Sequence, residues 1–387
     1  MNSYIVSVQG KGDYTSIEEA IQNATPGMQI RVQPGVYGES IAIDKPLEIV
    51  GDGLLADIVI ESLDLPCIRM QTDEAVVRNL SIRKRGVAQG SFSISIAGFD
   101  LYQNADPIDR DQTGVYIPQG CLTLENCHIT SDLGQCVLIE GPEANPIIKH
   151  CQIHKGYNSG ITFRYNARGT VENCEIFETT YGVGFWILSG GNPVIRQCKI
   201  HAHTNGIIFN HQGKGTVESC EIFNNSVAQV AILNGSNPLL QHCEIYNGGM
   251  SGLVSDMDGK GMAIDCKIFS NAGEGVKITR AGNPIIRRCQ IYDCDENGIF
   301  GAVDSLGSIE ECSIFENAKS GVMITEGGNP TIQRCKINKN GYEAVWVING
   351  GAGSVEDCDL TGNTRGTWDI EPGCNVHRSN NKEDELL

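Results

Sequence analysis

The chain has 387 residues, enough for two ordinary globular domains or for one elongated array of repeats. Hydrophobic residues make up 40%, there are 46 glycines, and the formal net charge is −18. A surface that acidic repels phosphate backbones and anionic lipid, which excludes nucleic acid and membranes as partners. It also repels an acidic polysaccharide unless metal ions or local basic patches intervene.

The opening residues, MNSYIVSVQGKGDY, lack a basic start, an apolar run and a small-residue cleavage site, so no leader is expected. Nowhere does an apolar run reach membrane-spanning length. Sixteen cysteines in such a chain imply reduced thiols and a cytoplasmic location rather than a disulfide scaffold. Ser16 and Glu19 read as a capping box ahead of IEEAIQNA, which predicts a short amphipathic helix within residues 13–24.

Residues 86–114, GVAQGSFSISIAGFDLYQNADPIDRDQTG, interrupt the pattern on either side. They separate Leu80, in VVRNLSI, from Cys127, 47 residues on. Cys127 opens a series: Cys151, Cys174, Cys198, Cys220, Cys243, Cys266, Cys289, Cys312, Cys335 and Cys358 follow at intervals of 22 to 24 residues. Two places after each cysteine stands an isoleucine, from Ile129 to Ile337, with Leu360 closing the series. A Gly-apolar pair precedes most of them, as in Gly160-Ile161, Gly252-Leu253 and Gly298-Ile299.

This period is too short for two-helix repeats, and the leucine signature of leucine-rich repeats is absent. A β-solenoid remains, with three short strands per coil of about 23 residues and one coil per strand spacing of about 4.8 Å. Cysteine and isoleucine recur because each stacks on its own counterpart, the cysteine as a small apolar plug. Upstream of the cysteines, Pro and Gly alternate without a break, from Pro146 and Gly169 to Pro330 and Gly353. Proline lacks a donor, so it should mark the first residue of a strand. Leu80 takes the cysteine position of an early coil, so 86–114 is either a divergent coil or an insert.

These coils, of the form NPxIxxCxI…GI, resemble the parallel β-helix repeats shared by mannuronan epimerases, NosD-type proteins and F-box-only proteins. The segment from Tyr4 to Gly53 is similar to the start of pectinesterases. The resemblance implies the pectate-lyase-like superfamily. The fold class it implies is all-β, a single right-handed parallel β-helix of roughly 13 to 15 coils spanning 1–375. The helix at 13–24 would cap its open end, where raw strand edges would otherwise be exposed. Trp368 would plug the other end, and 376–387 reads as a polar tail.

Family enzymes work on the outer face of one sheet, which here should hold the Gly-apolar strands. Alternation puts Thr162, Ile208, Ala231, Val254, Lys277, Phe300, Met323 and Trp346 on that face. The stripe is largely apolar, and Phe300, Met323 and Trp346 are its candidate binding anchors. Glycan lyases need carboxylates, usually with Ca²⁺, and a basic residue to take the proton. The candidates for such roles are Asp256, Asp258, Lys277, Arg280 and Arg164; isolated solvated charges are the competing reading. The DPHD of mannuronan epimerases, the RIK of polygalacturonases and the QDT of pectinesterases are missing, so no catalytic residue carries over. In the 86–114 segment, Asp106, Asp109 and Asp111 are candidate ligands for a hard cation such as Ca²⁺.

The aromatic series Phe177, His201, Phe223, Tyr246, Phe269, Tyr292 and Phe315 either faces outward to bind or stacks on itself; stacking is expected. Asn225, Asn271, Asn317 and Asn363 read as a ladder satisfying turn amides. Cys294 lies off the cysteine column and is expected to be the most reactive thiol. The leading expectation is a non-enzymatic binding or scaffold β-helix that recognises a protein or a polysaccharide along its outer face. The alternative is a polysaccharide lyase, epimerase or hydrolase.

Overall fold

The computed structural model describes residues 3–86, 109–179 and 182–384. The chain divides into two compact units, Met1–His203 and Thr204–Leu387. In each, successive short strands pass through three sheets, A, B and C, and return to A one turn later. Every pairing is parallel, and each unit contributes eight strands to its sheet A. The fold is therefore an all-β parallel β-helix, with one turn per sheet A strand. No helix among the described residues is long and apolar enough to cross a membrane.

The register places like on like. In unit 1, Ile129, Ile153, Ile176 and Ile200 pair in sequence down sheet B. In unit 2, Ile222, Ile245, Ile268, Ile291, Ile314 and Ile337 do the same. All are fully buried. Each such side chain contributes about 1.5–3 kcal/mol by leaving water, which makes this column the spine of the core.

The cysteines have a polar duty beyond size. The residue before each one adopts a left-handed conformation, for example Asn126 at φ 50°, His242 at 54° and Arg334 at 53°. That single residue bends the chain from sheet A into sheet B. The bend leaves the cysteine's own N–H without a carbonyl, and the thiol one turn on accepts it. Cys127 N donates to Cys151 Sγ at 3.4 Å, Cys289 N to Cys312 Sγ at 3.4 Å and Cys335 N to Cys358 Sγ at 3.3 Å. At the last turn Asn381 Oδ1 accepts from Cys358 N at 3.0 Å, in place of a thiol.

The next corner uses asparagine in the same way. Asn340 Oδ1 accepts from Asn317 N at 3.2 Å and from its Nδ2 at 2.9 Å, and Asn363 Oδ1 serves Asn340 likewise. Cys294 occupies this column, with its N–H on Asn317 Oδ1. Contrary to expectation it is not a reactive thiol: it is buried, and burial pushes its pKa up to about 11. The aromatic rings stack as expected. Tyr246 and Phe269 lie 4.9 Å apart at 8°, and Phe269 and Tyr292 5.0 Å apart at 3°.

The prolines sit just ahead of a strand in most turns, as with Pro284 before Ile285–Arg287, rather than at its first residue. Their alternation with glycine has a steric cause. A Cβ on Gly261 would lie 2.9 Å from the Pro238 carbonyl oxygen and 3.0 Å from its Cδ, and Gly261 has φ +112°. A residue stacked on proline must therefore have no side chain.

The 86–114 segment is an insert and not a coil. Strands on either side pair directly across it: Val115 with Ile68, Leu124 with Val77 and Ile129 with Ile82. It falls between a sheet B strand, Ser81–Lys84, and a sheet C strand, Val115–Ile117; residues 87–108, with Asp106, lie outside the described residues. The predicted helix is present as α1, Ile17–Asn23, and buries Ile17, Ala20 and Ile21. Ser16 Oγ accepts from Glu19 N at 3.1 Å as the capping box requires. The remaining end donors go to Glu39, which takes Ile17 N and Glu18 N at 2.9 Å each. At the far end, Asn375–Ser379 pairs with Ala352–Glu356, so pairing runs on into the stretch expected to be a tail. Trp368 opens a sheet C strand against Val345–Val347.

Candidate functional site

In unit 1 the outward column of sheet C runs through Ala42, Arg69, Tyr116, Leu138, Thr162 and Trp186, paired in that order. Sheet alternation aims these side chains away from the isoleucine core. Beside them, in the next outward column, Glu140 pairs with Arg164. Where the insert rejoins the helix, Asp109 caps a short 3-10 turn, Arg110–Gln112, by accepting from Asp111 N at 3.0 Å. That turn brings Arg110 over the same face. A cavity of about 750 Å³ opens there, with Arg69, Arg110, Arg164, Tyr116, Asp109 and Leu65 on its walls.

The polar groups converge on one carboxylate. Arg110 Nε donates to Glu140 Oε2 at 2.9 Å and its terminal nitrogen to Oε1 at 2.5 Å. Tyr116 donates its phenol proton to Oε2 at 3.1 Å, and Arg164 approaches the same oxygen at 3.5 Å. Burial alone would raise the pKa of Glu140, but the Arg110 hydrogen bond and the charges of Arg164 and Arg110 outweigh it and hold the carboxyl below its usual range. Burial pushes the Tyr116 phenol up, and the neighbouring Glu140 charge adds to this.

Arg69 differs from the other two arginines. It is exposed, makes no ion pair among the described residues, and its guanidinium lies 5.6 Å from the Tyr116 ring centroid. Arg110 lies 6.0 Å from the same ring. Three guanidiniums thus face three carboxylates, those of Glu140, Asp109 and Asp111. Among the described residues the pocket is not basic by net count; it offers one cation without an ion pair, Arg69, an aromatic face and carboxylate acceptors.

Of the residues singled out from the sequence, Arg164 belongs to this pocket, and Asp109 and Asp111 line it. Among the described residues no group of three or more His, Cys, Asp or Glu side chains is placed to hold a metal ion. The other candidates lie in unit 2. Asp256 is buried and ion-paired to Arg280 through both oxygens, one of them at 2.7 Å from Nε. Asp258 pairs with Lys260 at 3.4 Å. Lys277 lies 5.7 Å from the Phe300 ring centroid. These groups serve one another in pairs and do not converge on a common point.

Phe300, Met323 and Trp346 do form one column, in register after Lys277 and before Asp369. All three are half-buried. The apolar stripe is shorter than expected, because Ile208, Ala231 and Val254 in the same outward series are buried at 0%, 0% and 3% exposure. Sequence reasoning missed Arg69, Tyr116, Arg110 and Glu140. It followed the outward column only from residue 160 onward. Continuing the register back across the 47-residue gap would have placed Tyr116 and Arg69 beside Arg164.

The right handed beta helix region family model matches residues 87–203, 183–318 and 258–382. Among solved structures, the A-module of the mannuronan C-5 epimerase AlgE6 of Azotobacter vinelandii is 14% identical with a TM-score of 0.52, over 96% of this chain and 95% of that one. A double mutant of the periplasmic alginate epimerase AlgG is 12% identical with a TM-score of 0.54, over 95% and 83%. The catalytic domain of a GH87 alpha-1,3-glucanase, in complex with nigerose, is 13% identical with a TM-score of 0.55. It is covered for 85% of this chain, which spans 64% of that domain. At such identities the likeness is one of fold.

Proposed function

Because this chain belongs to the right-handed β-helix family, we propose that it recognises a glycan bearing an acidic group, bound in the cavity on the outer face of sheet C in unit 1. The observation that carries this reading is Arg69, an exposed guanidinium with no ion-pair partner among the described residues, set over the Tyr116 ring. A carboxylate on Arg69 gains a charge-assisted hydrogen bond, Tyr116 offers a ring face, and Asp109 and Asp111 accept from hydroxyls. The names of the structural relatives, alginate and mannuronan epimerases, support a uronate as the acidic sugar. This is also how a chain of net charge −18 would tolerate an acidic polymer: by a local cation.

Recognition is favoured over turnover. A general base works best with a pKa near the working pH. Tyr116 is pushed the other way, and its proton is already held by Glu140. Turnover is the second reading, supported by the phenol and carboxylate that sit beside the arginines. We also propose that α1 shields the first turn of unit 1, and that the protein works in a reducing compartment such as the cytoplasm, supported by sixteen free cysteines. Neither nucleic acid nor a membrane surface is proposed as a partner.

The test is binding of an oligosaccharide carrying a single uronate by calorimetry, with product analysis on uronate polymers in parallel. Arg69→Ala should weaken binding at least about tenfold, the loss of about one charged hydrogen bond. Unchanged binding, or no binding by the wild type, refutes the reading; new unsaturated or inverted products would establish turnover.

A further inference from the structure

Glu140 lies behind the cavity wall, held by three residues that line it, Arg110, Tyr116 and Arg164. Its two oxygens receive the fork of Arg110, the phenol of Tyr116 and an approach from Arg164. Its side chain is only 8% exposed, against 55% for Arg110. A carboxylate so enclosed is strongly bound only because donors surround it, and two of the three arginines are thereby spoken for. Among the described residues, what is left to an incoming anion is Arg69.

We propose that Glu140 is a specificity-determining residue: an internal carboxylate that occupies Arg110 and Arg164 and so limits the site to a single acidic group, read by Arg69. This rests on the glycan reading above. A densely charged polymer would bring a second carboxylate towards Arg110 and Arg164 and meet Glu140 there, a like charge at close range. A sparsely charged glycan would place one carboxylate on Arg69 and neutral hydroxyls near Glu140, Asp109 and Asp111. Glu140 therefore discriminates by repulsion, which is how sites commonly reject a close analogue of their ligand.

The experiment compares wild type, Glu140→Gln and Arg69→Ala against three hexasaccharide probes: a hexagalacturonate, a xylohexaose carrying one glucuronate, and neutral xylohexaose. Glu140→Gln removes the internal charge but keeps its shape. It should bind hexagalacturonate at least about tenfold more tightly than wild type, while the singly charged probe changes by less than about twofold. Equal or weaker binding of hexagalacturonate by Glu140→Gln, or an equal gain with all three probes, overturns the inference.

The two ideas fail separately. If Arg69→Ala loses the singly charged probe and Glu140→Gln gains nothing, the role of Glu140 falls and the glycan reading stands. If Arg69→Ala binds as wild type and Glu140→Gln still gains, the reading at Arg69 falls and the role of Glu140 stands. Silence of all three proteins towards both acidic probes overturns both. Melting curves establish folding of each variant. Should Glu140→Gln fail to fold, Glu140→Asp retracts the carboxylate from Arg110, and the absence of even a few-fold gain for hexagalacturonate overturns the inference.

Discussion

Acid should destabilise unit 1 through His203. This imidazole is buried at 4% exposure. Its Nδ1 accepts from Thr179 Oγ1 at 2.8 Å and from Thr179 N at 3.3 Å, and its Nε2 donates to the Ile176 carbonyl at 3.0 Å. Both nitrogens are thus used by the neutral ring. Burial lowers its pKa to about 3, with the Ile176 carbonyl opposing and His201 adding to the effect. The sign follows from linkage. Between about pH 6.5 and about pH 3 the unfolded chain binds a proton that the folded chain refuses, so stability is lost as pH falls.

The slope approaches about 1.4 kcal/mol per pH unit, so moving from pH 7.5 to pH 5 should cost about 2 kcal/mol from this residue alone. The assay is reversible urea unfolding of wild type and His203→Gln at both pH values. The variant is less stable at pH 7.5, having lost its fitted hydrogen bonds, but it should lose about 2 kcal/mol less than wild type on acidification. An identical acid loss in both proteins would refute the argument, since His203 would then protonate as readily folded as unfolded.

Other variants probe the columns and the outer face. Asn340→Ala removes the acceptor for both Asn317 N and Asn317 Nδ2 and should cost about 1–3 kcal/mol, measured by the urea midpoint. Gly298→Ala would bring a Cβ to 2.5 Å from Ile314 Cγ2 and 2.7 Å from the Gly321 oxygen. A loss of about 1–3 kcal/mol is expected, and a neutral result would mean the turns can move apart. Replacing Phe300 and Trp346 together by Ser should leave the fold in place at a cost of about 1–3 kcal/mol, since both are only half-buried. If every glycan or protein binding then also persists, the unit 2 column is not an interaction surface.

Much of this architecture was legible from one line of sequence. The spacing of Cys127 to Cys358 and the isoleucines two places on gave the period, and a period of that length with no helical pattern leaves little but stacked strands. What the period concealed was why the plug is cysteine. A thiol is small enough for the column and can also accept an N–H, but that N–H is orphaned only by the left-handed residue before it, which spacing does not reveal. Cys294 was misjudged for a related reason. It was measured against the wrong column, whereas by register it replaces an asparagine and is buried like one.

The site was less legible, because its parts are far apart in sequence and come from different structural sources. Arg69 and Tyr116 are neighbours only because the sheet C strand after the 86–114 segment pairs directly with the sheet C strand before it. Glu140 and Arg164 are one turn apart and were within reach of the repeat, yet a glutamate and an arginine on an outer face look like ordinary solvated charges. Arg110 belongs to no repeat and reaches Glu140 from the end of the insert.

The repeat, the parallel stacking and the inward columns can be read from the order of residues. These follow from local alternation and from like residues recurring at one spacing. Which charges meet is settled in three dimensions. Side chains on the outer face are not constrained by packing of the core, so their partners depend on register across an insert and on where its end crosses the sheet.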